Sequence, residues 1–599
     1  MTIALVRPLR TPSRRAERRH TQTNNVHMSH HRILSLVALC LGSASAHAQS
    51  FPPDTRVDSV FADYNTTDAP GCALGVYRNG KMLYARGYGL ADLERRVPIS
   101  PATVFDIGST SKQFTAAMIV LLAQEGKLSL DDDVRRFVPE LPAYERTITV
   151  RHLLHHTSGI RDYIGLLRLA GMRYDDVTTP DDALHMLVRQ RALNFAPGDE
   201  HLYSNSGYFL LSLIVERSTK RSLRDQAHER IFAPLGMTHT EYLGSYNDII
   251  SNRAIGYAHQ KASYQADMPR WLQLGDGAVF TTVQDLLHWE VNSRTTQVGG
   301  PAMRDTMLTR GRLSNGTVLD YALGLMHGEH RGLATVLHGG SWGGYRAEFV
   351  RFPAQRYGVA VLCNRDDVDP TALALQVADV HLADQMQASS MTAAGSTTTH
   401  VGAASAAKQT APTAQQSVQL RALETYAGTY RVPGTGNLTT LAIVDGALRV
   451  QEPGGYDVIA RSADELEVVG TPIRLRFEAG ATIDAPARRV TTIVSGVPEN
   501  IYERITAAPL TQERAAALTG TYSSTELGTS LVVSQSDSTL MLTLRNASAV
   551  LLRVVGEDEL LGAGLTLHFT RDANGHATGL LLNQGRARGL RFDRDDKAR

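Results

Sequence analysis

Residues 104–126 read VFDIGSTSKQFTAAMIVLLAQEG, an apolar, strand-like run that meets Gly108 and continues as a helical pattern. Ser109 and Lys112 stand three residues apart where that helix begins, so their side chains share one face of its first turn. A Ser hydroxyl is a poor nucleophile until a neighbouring base takes its proton, and a Lys serves as that base once burial or a nearby cation lowers its pKa. Ser109 is therefore predicted as a nucleophile and Lys112 as its first candidate base. The bland alternative is an N-cap Ser beside a surface Lys, and the apolar flank FTAAMIVLLA argues against it. Alone the spacing is weak. Ser405 and Lys408 repeat it in a segment without apolar period, where no catalytic geometry is expected.

Two later stretches raise the specificity. Tyr203-Ser-Asn205 lies in APGDEHLYSNSGYFLLSLIVE, just before an apolar helical pattern. His338-Gly-Gly340 lies in TVLHGGSWGGYRAEFVRFP, where alternation resumes after the glycines. In the order S-x-x-K, Y-x-N, H/K-x-G, the chain resembles the serine β-lactamase and penicillin-binding-protein superfamily. It is most similar to the class C-like branch of esterases, D-aminopeptidases and D,D-peptidases. GYGLADLERRVPISPATVFDIGSTSKQFTA, ITVRHLLHHTSGI and GDGAVFTTVQDLLHW add to the likeness, which covers roughly residues 55–380.

The resemblance implies an α/β catalytic domain, an antiparallel sheet flanked by helices plus a helical lobe, with the site in the cleft between them. It implies no cofactor or metal. Tyr203 becomes a second candidate base or a proton shuttle, coupled to Lys112. Asn205 would orient the Lys amine and bind a substrate amide. Gly339 and Gly340 allow close backbone approach, and the N–H groups of Ser109 and Ser341 would form the oxyanion hole. His338 departs from the lactamase pattern, which usually has Lys. A His is mostly neutral above pH 6.5, so it should hold a substrate carboxylate less well. That shifts weight from β-lactams toward esters, amides or D-amino-acid peptides.

Two rivals are weaker. Gly339-Gly-Ser341-Trp-Gly343 matches the G-x-S-x-G nucleophile elbow, but an elbow needs a following helix, and YRAEFVRFPAQRYGVAVLCN reads as a hairpin. His152, His155 and His156 share helical spacing without a carboxylate or Cys to complete a zinc set, so core and capping roles are expected.

At 599 residues the length suggests about three or four folded units. MSHHRILSLVALCLGSASAHAQS has a basic start, a short apolar run and an Ala46-His-Ala48 site, the pattern of a cleaved leader. Residues 1–48 are therefore read as a signal peptide and the mature protein as periplasmic or secreted. Without them the formal charge falls from +1 to −5, leaving no basic footprint for nucleic acid. No other segment has the ~20 apolar residues of a membrane span. Cys72 and Cys363 lie in apolar runs that the resemblance places on adjacent antiparallel strands. Two inert buried thiols are the preferred reading and a disulfide the alternative.

The catalytic domain is assigned to 49–384. Residues 385–419 are small and polar, with Lys408 the sole charge, and read as a flexible linker. Beyond it, short alternating strands resume, with a hairpin-like Asp445-Gly446. YAGTY at 426–430 recurs as LTGTY at 518–522, and Phe477 recurs as Phe569, both at an offset of 92. The expected units, 420–508 and 509–599, resemble the lipocalin-like barrels that follow the catalytic domain in some D-aminopeptidase relatives; a single larger barrel is the alternative. The functional expectation is an exported serine hydrolase acting through an acyl-enzyme on small-molecule or peptide substrates, cell-wall fragments among them. Alternatives are a β-lactamase, a slow-turnover penicillin-binding protein, or a binding module in which hydrolysis is secondary.

Overall fold

The computed structural model describes residues 54–387 apart from Ala262, and residues 422–595 apart from 433–437, 453–454, 470–472, 479, 481, 483–484, 495–496, 507–509 and 537–538. The expected leader, most of the expected linker, and the Ser405/Lys408 pair lie outside the described residues.

Runs with no polar alternation become central strands buried on both faces. Six strands form one antiparallel sheet: β1 (Cys72–Arg78), β2 (Lys81–Tyr88), β3 (Met326–His330), β4 (Leu333–Trp342), β5 (Tyr345–Phe352) and β6 (Tyr357–Cys363), in the order β3-β4-β5-β6-β1-β2. The sheet separates two cores. Leu74, Val76, Val350, Val359 and Val361 face α1 (Thr55–Val60) and α6 (Pro370–Leu382). Ala73, Tyr77, Ala347, Phe349 and Leu362 face the helical lobe. In that lobe α2 (Lys112–Gln124) is buried from Lys112 to Leu122, as its all-round apolar sequence requires. Around it lie α3 (Asn205–Thr219), α4 (Val283–Thr295) and α5 (Gly300–Met307).

The thiol expectation is corrected. The register of β1 against β6 sets Cys72 directly opposite Cys363 with their Cα atoms 4.0 Å apart, and the two form a disulfide. Adjacent strands bring opposed residues within bridging range without backbone movement. Ser341 is likewise not an elbow nucleophile, because β4 runs into β5 through a hairpin rather than into a helix.

The C-terminal region is two closed eight-stranded barrels, Gly428–Arg431 to Val497–Ile505 and Gly520–Ser524 to Ala587–Arg594. Asp445 and Gly446 both have positive φ, as a tight primed turn demands. The repeat is visible atom by atom. Tyr430 and Tyr522 are fully buried, and each phenol donates to the carbonyl four residues back, Tyr426 at 2.7 Å and Leu518 at 2.8 Å. Each ring meets a Phe edge, Phe477 and Phe569, and lies under an Arg from the last strand, Arg504 and Arg594.

The second barrel docks on the helical lobe. The Arg161 side chain, 1% exposed, pairs with Glu526 at 3.0 Å and donates to the carbonyls of Arg588 and Gly589. The carbonyl of Arg586, in the turn between Ala577–Gln584 and Ala587–Arg594, accepts from Asp162 N at 3.1 Å and Asn194 Nδ2 at 2.9 Å. That turn is held at the cleft edge by one backbone bond and one side-chain bond to its carbonyl.

Candidate active site

Ser109 sits in the tight turn Gly108–Ser111 that leads into α2 and is half-exposed, while Thr110, Ser111 and Lys112 are buried. Gly108 has φ +49°, and a Cβ there would lie 2.7 Å from Ser341 N. At Gly340 a Cβ would lie 1.9 Å from Ile107 O and 3.0 Å from Ser109 N. The β4 edge and the Ser109 turn therefore touch backbone to backbone, which only glycine permits. Thr110 Oγ1 fastens the pair by donating to His338 O at 3.0 Å.

The structure brings Ser109, Lys112 and Asn205 together. Lys112 Nζ lies 3.0 Å from Ser109 Oγ, within hydrogen-bond distance, and donates to Asn205 Oδ1 at 2.9 Å and the Asp276 carbonyl at 2.6 Å. Asn205 is held at the start of α3 because Asp162 Oδ2 accepts from its backbone N–H at 2.6 Å. The other oxygen of Asp162 caps the helix Tyr163–Leu169, so one carboxylate anchors two helix starts. Lys112 Nζ stands 4.9 Å from the centroid of the Tyr203 ring. Tyr203 Oη is buried and has no hydrogen-bond partner among the described residues.

His338, on β4, is 4% exposed. Its Nδ1 lies 2.7 Å from Gly339 O and its Nε2 3.0 Å from Tyr321 Oη. A carbonyl only accepts, so the proton sits on Nδ1 and Nε2 accepts from Tyr321. Burial, reinforced by the nearby Lys112, pushes the imidazole down to about 4. It is neutral at physiological pH. The histidines of the HLLHH run do not form a metal set, since no group of three potential ligands converges among the described residues. His152 Nδ1 accepts from Thr149 N in a capping box. His155 bonds to Arg151 O and Thr309 O. His156 packs against Tyr203 with ring centroids 4.2 Å apart and the planes tilted by 34°, and accepts from Ser204 N.

Several residues escaped the sequence reading. Asp276, inside the quoted GDGAVFTT run, is buried; burial pushes its carboxyl up to about 7 against the pull of Lys112, and Tyr163 donates to it at 2.9 Å. Tyr174, Trp271 and Trp342 form an aromatic wall with centroids 5.7–5.9 Å apart. Arg586 reaches in from the second barrel, its guanidinium 4.7 Å from the Tyr203 ring centroid. Nothing local in NQGRARGL marks that Arg. The 770 Å³ cleft is lined by Ser109, Tyr203, Asn205, His338, the aromatic wall and Arg586.

These features define a class, and the comparisons agree with it. A family model described as Beta-lactamase matches residues 57–382, more than half of the chain, and the chain belongs to that family. It is similar to a penicillin-binding protein of Bacillus subtilis (strain 168), 30% identical over 307 residues, 48% of this chain and 66% of that protein. It is also similar to a D-aminopeptidase of Cereibacter sphaeroides (strain ATCC 17029 / ATH 2.4.9), 32% identical over 305 residues, 50% of this chain and 58% of that protein. The chain spans less than two thirds of the length of these relatives. The octameric penicillin-binding protein homologue from Pyrococcus abyssi shares the fold, with a TM-score of 0.50 and 23% identity over 75% of this chain and 98% of that one.

Proposed function

We infer that this protein is a serine hydrolase that forms an acyl-enzyme on Ser109 and cleaves small amides or esters, D-amino-acid peptides and esters first among them. The observation that carries this reading is the seat of the Lys112 amine. A neutral amine has two N–H groups and one lone pair. Asn205 Oδ1 and the Asp276 carbonyl accept both protons, which leaves the lone pair for Ser109 Oγ. The amine takes the Oγ proton as Oγ attacks the substrate carbonyl carbon. The oxyanion then faces the N–H groups of Ser109 and Ser341, donors of a kind whose loss typically costs ~10²–10³ in rate. The proton passes by way of Tyr203 to the leaving nitrogen or oxygen as the scissile bond breaks. Water reverses the sequence on the ester, freeing the acid and restoring the Ser109 hydroxyl.

Substrate choice follows from the cleft. The neutral His338 offers no fixed cation on β4, which ranks β-lactams below amides and esters. Arg586 offers one beside Tyr203 instead, on the side where the leaving group departs, and it suits a leaving residue with a free carboxylate. The wall of Tyr174, Trp271 and Trp342 suits an apolar side chain. Peptide-sized cell-wall fragments fit these features. The Cys72–Cys363 bridge supports an oxidising compartment, in keeping with an exported protein cleaved near Ala48.

The test is the initial rates of the full chain and of Ser109→Ala on a D-alanine anilide, a short-chain aryl ester and a cephalosporin. Ser109-dependent turnover of anilide or ester, with slow cephalosporin, is expected. Fast cephalosporin turnover would make the protein a β-lactamase. A lasting adduct on Ser109 without turnover would make it a slow penicillin-binding protein, and full activity in Ser109→Ala would end the hydrolase reading.

A further inference from the structure

A second cavity, of 580 Å³, lies under α4 and α5 and shares no lining residue with the catalytic cleft. Its lining is mixed, and Met303, Met307, Leu325 and Val336 give it an apolar part. Four guanidinium groups border it, those of Arg294, Arg304, Arg351 and Arg356, against one carboxylate, Glu290. Glu290 is spent on Arg294, at 2.7 Å, and Arg304 pairs with Asp305 at the surface.

Arg351 is the decisive group. It sits on β5 opposite Val336 and is 8% exposed, so it is more than nine-tenths buried. Its Nε is buried with no hydrogen-bond partner among the described residues, and the Phe349 ring, 5.4 Å away, supplies its cation–π contact. Burial pushes this guanidinium down to about 10, with Glu290 opposing. A charge taken out of water without a partner is costly, and an Arg fork is built to take a planar anion. Sheet alternation alone would put an apolar residue here, since Tyr345, Ala347 and Phe349 precede Arg351 on the same face.

We propose that this cavity is a binding site for an amphiphilic monocarboxylate, its head paired with Arg351 and its alkyl chain packed among Met303, Met307, Leu325 and Val336. The volume lies in the range of small-ligand pockets. A neutral amphiphile would leave Arg351 unpaired, and a cationic one would add repulsion from three further Arg residues. The site adjoins the catalytic turn through side chains. Trp289, in the cavity wall, donates from Nε1 to Gln113 Oε1 at 2.5 Å, and Gln113 donates to Thr110 O at 2.9 Å, one residue past Ser109.

The probe is decanoate, titrated calorimetrically into the full chain, with decanol and decyltrimethylammonium as the neutral and cationic counterparts. One decanoate site is expected, with at least tenfold weaker binding of both counterparts. Arg351→Met should weaken decanoate at least tenfold and fold normally, because an apolar chain replaces an unpaired buried cation. Arg586→Ala should leave decanoate affinity unchanged, since that Arg belongs to the catalytic cleft. A second readout needs no change at Arg351. The chain has three Trp, so in Trp271→Phe/Trp342→Phe only Trp289 emits, and 10-bromodecanoate should quench it saturably. Equal decanoate affinity in Arg351→Met, loss of affinity in Arg586→Ala, or no quenching of Trp289 would each overturn the proposal. None of these readouts depends on hydrolysis, so failure here leaves the Ser109 reading standing, and the reverse also holds.

Discussion

At the scale of single residues, the proposed mechanism divides labour between a fixed amine as base and an unpaired phenol. Lys112 is pinned by two acceptors that cannot return a proton, so in the proposed mechanism its one remaining position faces Ser109 Oγ. Tyr203 has no such tether. Lys112→Met should therefore abolish acylation, measured as the burst of an aryl ester. Tyr203→Phe should slow turnover about 10²–10⁴-fold, the usual worth of a positioned proton-transfer group, with its larger effect on amides, whose poor leaving group needs the proton. Equal rates in Tyr203→Phe and the parent on both substrates would remove Tyr203 from the mechanism. Glu348 shows the cost of a buried carboxyl. It is 1% exposed beneath Gly339, accepts from Thr371 at 2.7 Å, and burial pushes it up from 4.5 to about 7. The folded state thus holds the proton more tightly than the unfolded one. The stability this lends is full below about pH 4.5 and is lost as pH rises through about 7. Glu348→Gln, which has no proton to lose, should gain Tm relative to the parent between pH 5 and pH 8. A constant difference across that range would place the ionised carboxylate in a better-solvated setting than its burial implies.

At the scale of elements, the disulfide closes a loop of 291 residues across neighbouring strands. Chain-entropy reasoning gives such a cross-link roughly 5–6 kcal/mol, an upper figure because unfolded chains are not random. Cys72→Ser/Cys363→Ser should lower the urea midpoint clearly while leaving kcat unchanged, since neither Cys lines the cleft. An unchanged midpoint would mean the sheet is closed by its own packing. The same pair shows the limits of reading elements from sequence. The strands were legible from their apolar runs, and the 92-residue repeat announced two barrels, because both signals are periodic and local. The bridge was legible only as the alternative to two free thiols, because register across 291 residues is a tertiary property that no local pattern encodes. Ser109, Lys112, Asn205 and the His338 glycines stood out because tight turns and helix starts force their spacing. Asp276, Trp271 and Trp342 did not, since they meet only when the lobe closes on the sheet.

At the scale of the whole molecule, the second barrel is part of the cleft rather than a tethered appendage. Its turn is fixed by the Asp162 backbone N–H and the Asn194 side-chain amide, both donating to the Arg586 carbonyl, and the Asp162 carboxylate holds Asn205 in place. The candidate site and the barrel thus meet at one residue, whose backbone N–H binds the barrel turn and whose carboxylate holds Asn205. Arg161 and Glu526 secure the contact in near-complete burial, where removing one partner leaves an uncompensated charge and typically costs about 3–5 kcal/mol. Two routes should then disturb the same function. Arg586→Ala should raise KM for a D-dipeptide with a free C-terminal carboxylate about tenfold or more, the worth of a hydrogen bond to a charged group, and should leave the C-terminally amidated dipeptide unchanged. Glu526→Ala should do likewise by releasing the barrel, although it lies outside the cleft lining. Because both act through the same guanidinium, the double variant should be no worse than the poorer single one, a failure of additivity that marks shared machinery. Additive losses would mean that barrel docking serves the lobe's stability separately, and equal KM for both dipeptides in Arg586→Ala would mean that the Tyr203 side of the cleft does not receive a carboxylate.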